Sequence, residues 1–359
     1  MRLAGASRQR CCGRTSAFAS RYHPSVSSAL LVSLAVVLSA CGMAGAGEKG
    51  KPTVRVYSAR HYDLERAFDD FAKQTGISVQ FLFGSDAELR ERIKAEGEQT
   101  EADVFMVVDA GNLYLAASDG LFRPVDSQVL TDAIPESLRD PEGRWVGLSV
   151  RARTLVYNAQ RVDTAELSTY EALADPRWQG RLCLRNSTNV YTQSLVASLI
   201  AHHGYGGALE VVRGWVANRP QFINNDIEIL RTVGAGGCDV AITNHYYLAR
   251  LIAEDPDFPV RVFWANQDGQ GTHINISGAG VTAAADDPEE ALRLLEWLAT
   301  QGQSDFVDGN YEYPANPRVQ PEPLLADRFG SFRPDPLSAA RYGSLNTEAV
   351  RLLDEAGYT

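Results

Sequence analysis

Short apolar runs alternate along the chain with segments whose apolar residues recur at helical spacing, and three of these strand-to-helix passages share one feature. Val54 to Ser58 has the composition of a strand, and after it Leu64, Ala67, Phe68 and Phe71 trace a helix face that stops at Gly76. Arg181 to Arg185 is a second strand. Asn186 to Asn189 then supplies turn chemistry, and Val190 opens a helix through Leu195, Ser198 and Leu199 that ends near Gly204. Cys238 to Thr243 is a third strand, and Tyr246 starts an amphipathic helix with Asn244 at the N-cap position. Each turn carries phenols: His61-Tyr62 in the first, Tyr191 in the second, Tyr246-Tyr247 in the third. Neighbouring strand residues point to opposite faces, whereas residues in a first helical turn can lean together over the strand end. Open α/β sheets bind their ligands in that space.

The same alternation runs through the rest of the chain. Val79 to Phe83 and Ala102 to Val108 read as strands, with a charged helix between them around Ala87 to Glu96. Val146 to Ser149 and Arg153 to Asn158 are further strand segments, and Gly271 to Val281 is another. This order argues an α/β architecture. Pro314 to Pro336 is predicted to be a surface connection before a final helix at Thr347 to Ala356, and Gly234 to Gly237 a helix-ending turn. No HExxH, paired CxxC, P-loop or GxSxG is present, which speaks against an enzyme.

The N-terminus changes the picture. Residues 1–40 hold Arg2, Arg8, Arg10, Arg14 and Arg21 and no acidic residue, followed by a ten-residue apolar stretch from Ala29 to Leu38. That stretch is too short to span a bilayer and has the length of an export-signal core. Leu38-Ser39-Ala40-Cys41 resembles a lipobox, which would make residues 1–40 a signal peptide, Cys41 the acylated first residue of the mature chain and residues 41–52 a tether. The expected location is the periplasm or cell surface, with the lipid as the membrane contact. Without the five leader arginines the chain has 29 basic and 45 acidic residues, a net charge of −16. Nucleic-acid binding needs a basic face and is disfavoured. Cys183 and Cys238 each lie in a strand leading to a tyrosine-bearing turn. An exported compartment permits a disulfide between them, and two buried thiols are the alternative.

Four phenols and an imidazole at strand ends suit a hard metal ion. A phenol has an ordinary pKa near 10, so ionising one at pH 7 costs roughly 4 kcal/mol and ionising four roughly 16 kcal/mol. Ferric iron can supply that, because its charge and hardness favour anionic oxygen and its binding is coupled to ligand deprotonation.

The ordered combination of Arg60-His61-Tyr62, Asn186 to Tyr191, Asn244-His245-Tyr246-Tyr247 and Gly309 to Pro314 resembles the bacterial periplasmic ferric-iron-binding proteins of ABC importers. The likeness runs from about Val54 to Pro314, and the combination is far more specific than any single motif. It implies a two-lobed periplasmic-binding-protein fold, type II-like, with two interlobe crossovers. Lobe 1 is then residues 53–153 plus 278–325, lobe 2 is residues 154–277, and residues 326–359 form a C-terminal segment. It also implies that Fe(III), arriving as the ion or a weak chelate, is held by His61, Tyr62, Tyr191, Tyr246 and Tyr247, and that a monomer delivers it to an ABC permease. The subgroup it resembles needs no exogenous anion. Four phenolates around Fe(III) leave a net −1, so Arg60, Arg151 and Arg153 are candidate neighbouring cations. Tyr57, Tyr157, Tyr311 and Tyr313 are read as packing residues, His245 as a turn or capping residue, and His202 and His203 as partners of a helix dipole. Two other readings stand beside this one: an organic-solute or oxyanion receptor on the same fold, and a secreted iron-dependent enzyme. The enzyme would need open coordination positions that five protein donors do not leave.

Overall fold

Strand β4 (Val146–Asn158) organises the chain, because it belongs to two ladders at once. A computed structural model describes residues 51–60 and 65–359. The leader, the tether with Cys41, and the ligand candidates His61 and Tyr62 lie outside the described residues. The other strands are β1 (Thr53–Ser58), β2 (Ser78–Phe83), β3 (Val104–Val107), β5 (Leu182–Arg185), β6 (Gln221–Ile223), β7 (Val240–Asn244), β8 (Val260–Phe263), β9 (Ile274–Val281) and β10 (Tyr313–Pro314). They run in the order β2-β1-β3-β9-β4-β7-β5-β6, with β8 and β10 also on β4.

The first part of β4 pairs antiparallel with β9, from Val146 opposite Ala279 to Ala152 opposite Ile274. Its last part pairs with β7, from Arg153 opposite Asn244 to Tyr157 opposite Val240. The sequence suggested two separate segments here; the structure has one continuous thirteen-residue strand. On one side β2, β1 and β3 are parallel, and on the other β6, β5 and β7 are parallel. Interior strands covered on both faces read as unbroken apolar runs, and every residue of β3, β7 and β9 is buried.

Local chemistry explains where the helices start. Ser85 and Glu88 form a reciprocal capping box at the Asp86–Glu96 helix. Asn189 Oδ1 accepts from Tyr191 N at 3.0 Å, fixing the first turn that carries this phenol. The helix from Val190 turns sharply at Gly204, where φ is +69, and then continues to Ala217. Asn244 occupies the N-cap position of the His245–Glu254 helix, but its side chain makes no capping bond. Its Oδ1 instead accepts from Arg153 at 3.1 Å.

Cys183 and Cys238 are joined by a disulfide, with Cα atoms 5.8 Å apart. They sit in an apolar cluster with Val156, Val233 and Leu248. The segment from Pro314 to Pro336 is more than a surface connection. It contains the helix Pro323–Phe329, whose Leu325 and Phe329 are buried in that same cluster, because an apolar pair four residues apart makes one helix face. His202 and His203 also differ from expectation, since packed neighbours bring full charges closer than a helix end. His202 Nε2 lies 2.7 Å from Asp335 and His203 Nε2 2.7 Å from Glu171.

Candidate functional site

The carboxyl ends of β5 and β7 bring two distant phenols together. Tyr191 and Tyr246 are both buried, and their hydroxyl oxygens are 3.5 Å apart. The Tyr247 ring lies against Tyr246 with centroids 4.2 Å apart, and Tyr247 is the more exposed of the two. Thus three of the five predicted ligands share one place in the described structure. Among the described residues no group of three or more His, Cys, Asp or Glu side chains is arranged to hold a metal. The oxygen atoms gathered at this point among the described residues include the Tyr191 and Tyr246 phenols.

Cations stand beside them. Arg151, at the middle of β4, donates from Nη1 to the Tyr191 hydroxyl at 3.1 Å and from Nη2 to the Val108 carbonyl. Its planar fork therefore links a phenol of the β5 side to the end of β3. Arg250 places its guanidinium 5.4 Å from the Tyr246 ring centroid and 5.9 Å from that of Tyr247. Sequence reading missed Arg250, although a residue four after Tyr246 and three after Tyr247 on one helix falls on their face.

Arg60 and Arg153 are differently engaged. Arg60 is buried in an ion pair with Glu312 at 2.5 Å and also reaches Ser149, Ser277 and the Phe306 carbonyl. Burial pushes the Glu312 carboxyl up, but Arg60 and Arg151 outweigh it and hold that group below the ordinary carboxylate range. Arg153 pairs with Asp226 at 3.0 Å. Of the three arginines picked from the sequence, Arg151 is bonded to a candidate ligand among the described residues, Tyr191.

Two carboxylates flank Arg151 from the β3 side. Burial pushes Asp86 up to about 6, and the nearby charge of Asp109 adds to this. Asp109 is itself raised by burial, although Asn275 and the Asn112 amide hydrogen-bond its carboxylate. Asp109 is legible locally as the N-cap of the Ala110–Ser118 helix, but the closeness of either carboxylate to Arg151 is not, because β4 brings that charge to them from far along the chain.

His245 proves to be a buried brace. Its Nε2 faces the Tyr311 carbonyl at 2.9 Å and so carries the proton, while Nδ1 accepts from the Ala152 amide at 3.2 Å. Burial lowers its pKa to about 4, so the ring is neutral at pH 7. The ring stands edge-on to Tyr246, with centroids 5.9 Å apart, and stacks on Tyr313 at 4.7 Å. Tyr311 takes φ of +54 to present its carbonyl, and Tyr57 donates to Glu96 at 3.2 Å.

Comparison with known proteins gives this geometry its context. The family described as bacterial extracellular solute-binding protein matches residues 100–329, more than half of the chain. The chain belongs to this family. Iron uptake protein A1 of Synechocystis sp. is 40% identical over 316 residues, covering 85% of this chain and 87% of that protein. A Trichodesmium protein solved in complex with iron and citrate ligands aligns with a TM-score of 0.82 and 42% identity, over 86% of this chain and all of that one. The ferric binding protein of Campylobacter jejuni aligns at 0.79 with 32% identity, over 85% and 100%. The solute-binding protein therefore has the two-lobed α/β fold of these relatives. β4, which pairs with β9 along its first part and with β7 along its last, is the strand shared by its two ladders.

Proposed function

We propose that this chain is an extracytoplasmic receptor that captures Fe(III) between two lobes and delivers it to an ABC permease. The observation that carries the reading is the convergence of Tyr191 and Tyr246, whose oxygens are 3.5 Å apart beside Tyr247 and Arg151. Two phenols this close cannot both ionise cheaply in water, since phenolates repel; a trivalent cation reverses the sign of that interaction. The relatives named for iron uptake and ferric binding support it. The full ligand set in this reading is His61, Tyr62, Tyr191, Tyr246 and Tyr247, with lobe 1 at residues 53–153 plus 278–325 and lobe 2 at residues 154–277. Iron enters as the ion or a weak chelate, and the receptor acts as a monomer with no catalytic step.

The test is metal analysis and visible absorption of purified protein stripped and reloaded with ferric iron. One equivalent of iron and a phenolate-to-iron charge-transfer band are expected. Tyr246→Phe and Tyr191→Phe should each remain folded and lose ferric affinity steeply, whereas His61→Ala should lose less, because a neutral nitrogen offers a hard ion less than an anionic oxygen does. Unchanged affinity and colour in both phenylalanine variants would remove the assignment, and binding of an organic anion without colour would favour the other kind of receptor.

We also propose that Cys41 carries a lipid anchor. Cys41→Ser should shift the protein from membranes to the soluble exported fraction with iron binding intact; a wholly soluble, unacylated native protein rejects the anchor.

A further inference from the structure

We infer that the Cys183–Cys238 disulfide is a positioning element of the ferric site, holding the Tyr191 and Tyr246 oxygens at metal-binding separation before the metal arrives. This rests on the ferric reading above. Cys183 stands eight residues before Tyr191, and Cys238 stands eight residues before Tyr246. Each cysteine lies in or just before a strand, β5 or β7, whose carboxyl end leads through a turn into the helical turn that carries the phenol. The cross-link therefore joins the roots of two strand-to-helix arms, each eight residues ahead of its phenol, although in the ladder Cys183 stands opposite Ala241.

The arms need such a joint. Between β5 and β7 the ladder has two registered pairs, Leu182 with Val240 and Cys183 with Ala241. Seating a cation turns two neutral phenols into two phenolates, and the mutual repulsion of those like charges loads the two arms in the complex. A short ladder resists splaying weakly, whereas a covalent link between Cα atoms 5.8 Å apart resists it without further ordering at the moment of binding. The link is shielded as well. Cys183 and Cys238 are 0% and 2% exposed in the apolar cluster, so a reductant in solution does not reach them without opening the fold. Its role in this place is permanent geometry.

The experiment compares wild type, Cys183→Ala/Cys238→Ala, and Val233→Ala, a control that removes buried volume from the same cluster without touching the cross-link. Each is loaded with ferric iron supplied as ferric citrate, and is read by competition with citrate, by the rate of iron loss and by the charge-transfer band. The double variant should bind iron about tenfold more weakly, the low end for loss of an outer support of a metal ligand. It should also release iron faster and show a broadened or shifted band, while Val233→Ala keeps wild-type affinity and band. Should the alanine pair fail to fold, Cys183→Ala/Cys238→Val restores part of the lost volume and carries the same expectation. Wild-type affinity and band in the uncross-linked protein would overturn the inference, as would an equal loss in Val233→Ala. A wild-type protein that takes no iron overturns the ferric reading itself; one that takes iron with colour, beside an unchanged double variant, overturns only the role of the disulfide.

Discussion

Arg151 shows how much one side chain can hold in place. Its guanidinium bonds the Tyr191 hydroxyl and the Val108 carbonyl together, so it sets both the direction of a phenol and its distance from the end of β3. Lysine would keep the charge but lose the planar fork. Arg151→Lys is therefore expected to weaken ferric binding by about 10- to 100-fold, the range for an outer-shell partner of a metal ligand. Thermal unfolding of the metal-free protein and competition with citrate, measured side by side, separate this from general damage. An unchanged ferric dissociation constant would show that Arg151 does not support the phenol.

At the scale of elements, the return strand β9 is fastened at its start by His273. Its backbone N–H donates to Tyr170 Oη at 3.1 Å, and its ring Nε2 lies 3.0 Å from Ser194 Oγ on the Val190–Ala217 helix. Burial lowers its pKa to about 4; Asp335 opposes the shift, while Arg153 and His202 add to it. The unfolded chain takes up this proton near pH 6.5 and the folded chain only near 4, so the contribution is complete above about 6.5 and is lost as pH falls toward 4. Between pH 7 and pH 5 this one group should lower the unfolding free energy of metal-free protein by about 2 kcal/mol. Urea titrations at both pH values should show that extra loss in wild type and its absence in His273→Gln. Gly271, just before this strand, could not be replaced cheaply either. Its φ is +97, and a Cβ there would meet the Pro334 and Arg333 carbonyls at 2.7 and 2.8 Å.

For the whole molecule, ferric binding and lobe closure are expected to be one equilibrium. Tyr191, Tyr246 and Tyr247 lie on the β5 and β7 side, whereas the proposed ligands His61 and Tyr62 follow β1, so a complete shell favours a closed form. Acid returns protons to phenolates and removes ligands, while the free phenols of metal-free protein are already neutral. Lowering the pH well below neutrality should therefore bleach the iron-loaded protein and expand it together, with little change in the metal-free form. Small-angle scattering and absorbance recorded through one titration test this; colour loss without expansion would show that iron does not hold the lobes together.

Periodicity and turn chemistry by themselves determined the α/β class and the two strand-to-helix turns that carry Tyr191, Tyr246 and Tyr247. These are local properties: Asn189 caps the helix of Tyr191 through a neighbour two residues away, and β3 and β7 are apolar because both faces are covered. The partners of the charges were not legible. Arg60, Arg151 and Arg153 look alike in sequence, and only the fold assigned Glu312 to the first, Tyr191 to the second and Asp226 to the third. His245 was read as a capping residue because its contacts to Ala152 and Tyr311 lie 93 and 66 residues away. Whether Cys183 and Cys238 face each other likewise depended on β5 and β7 being neighbours. Hydrophobic pattern encodes which face of an element is covered, whereas the identity of a polar partner depends on strand order and register, which only the assembled sheet decides.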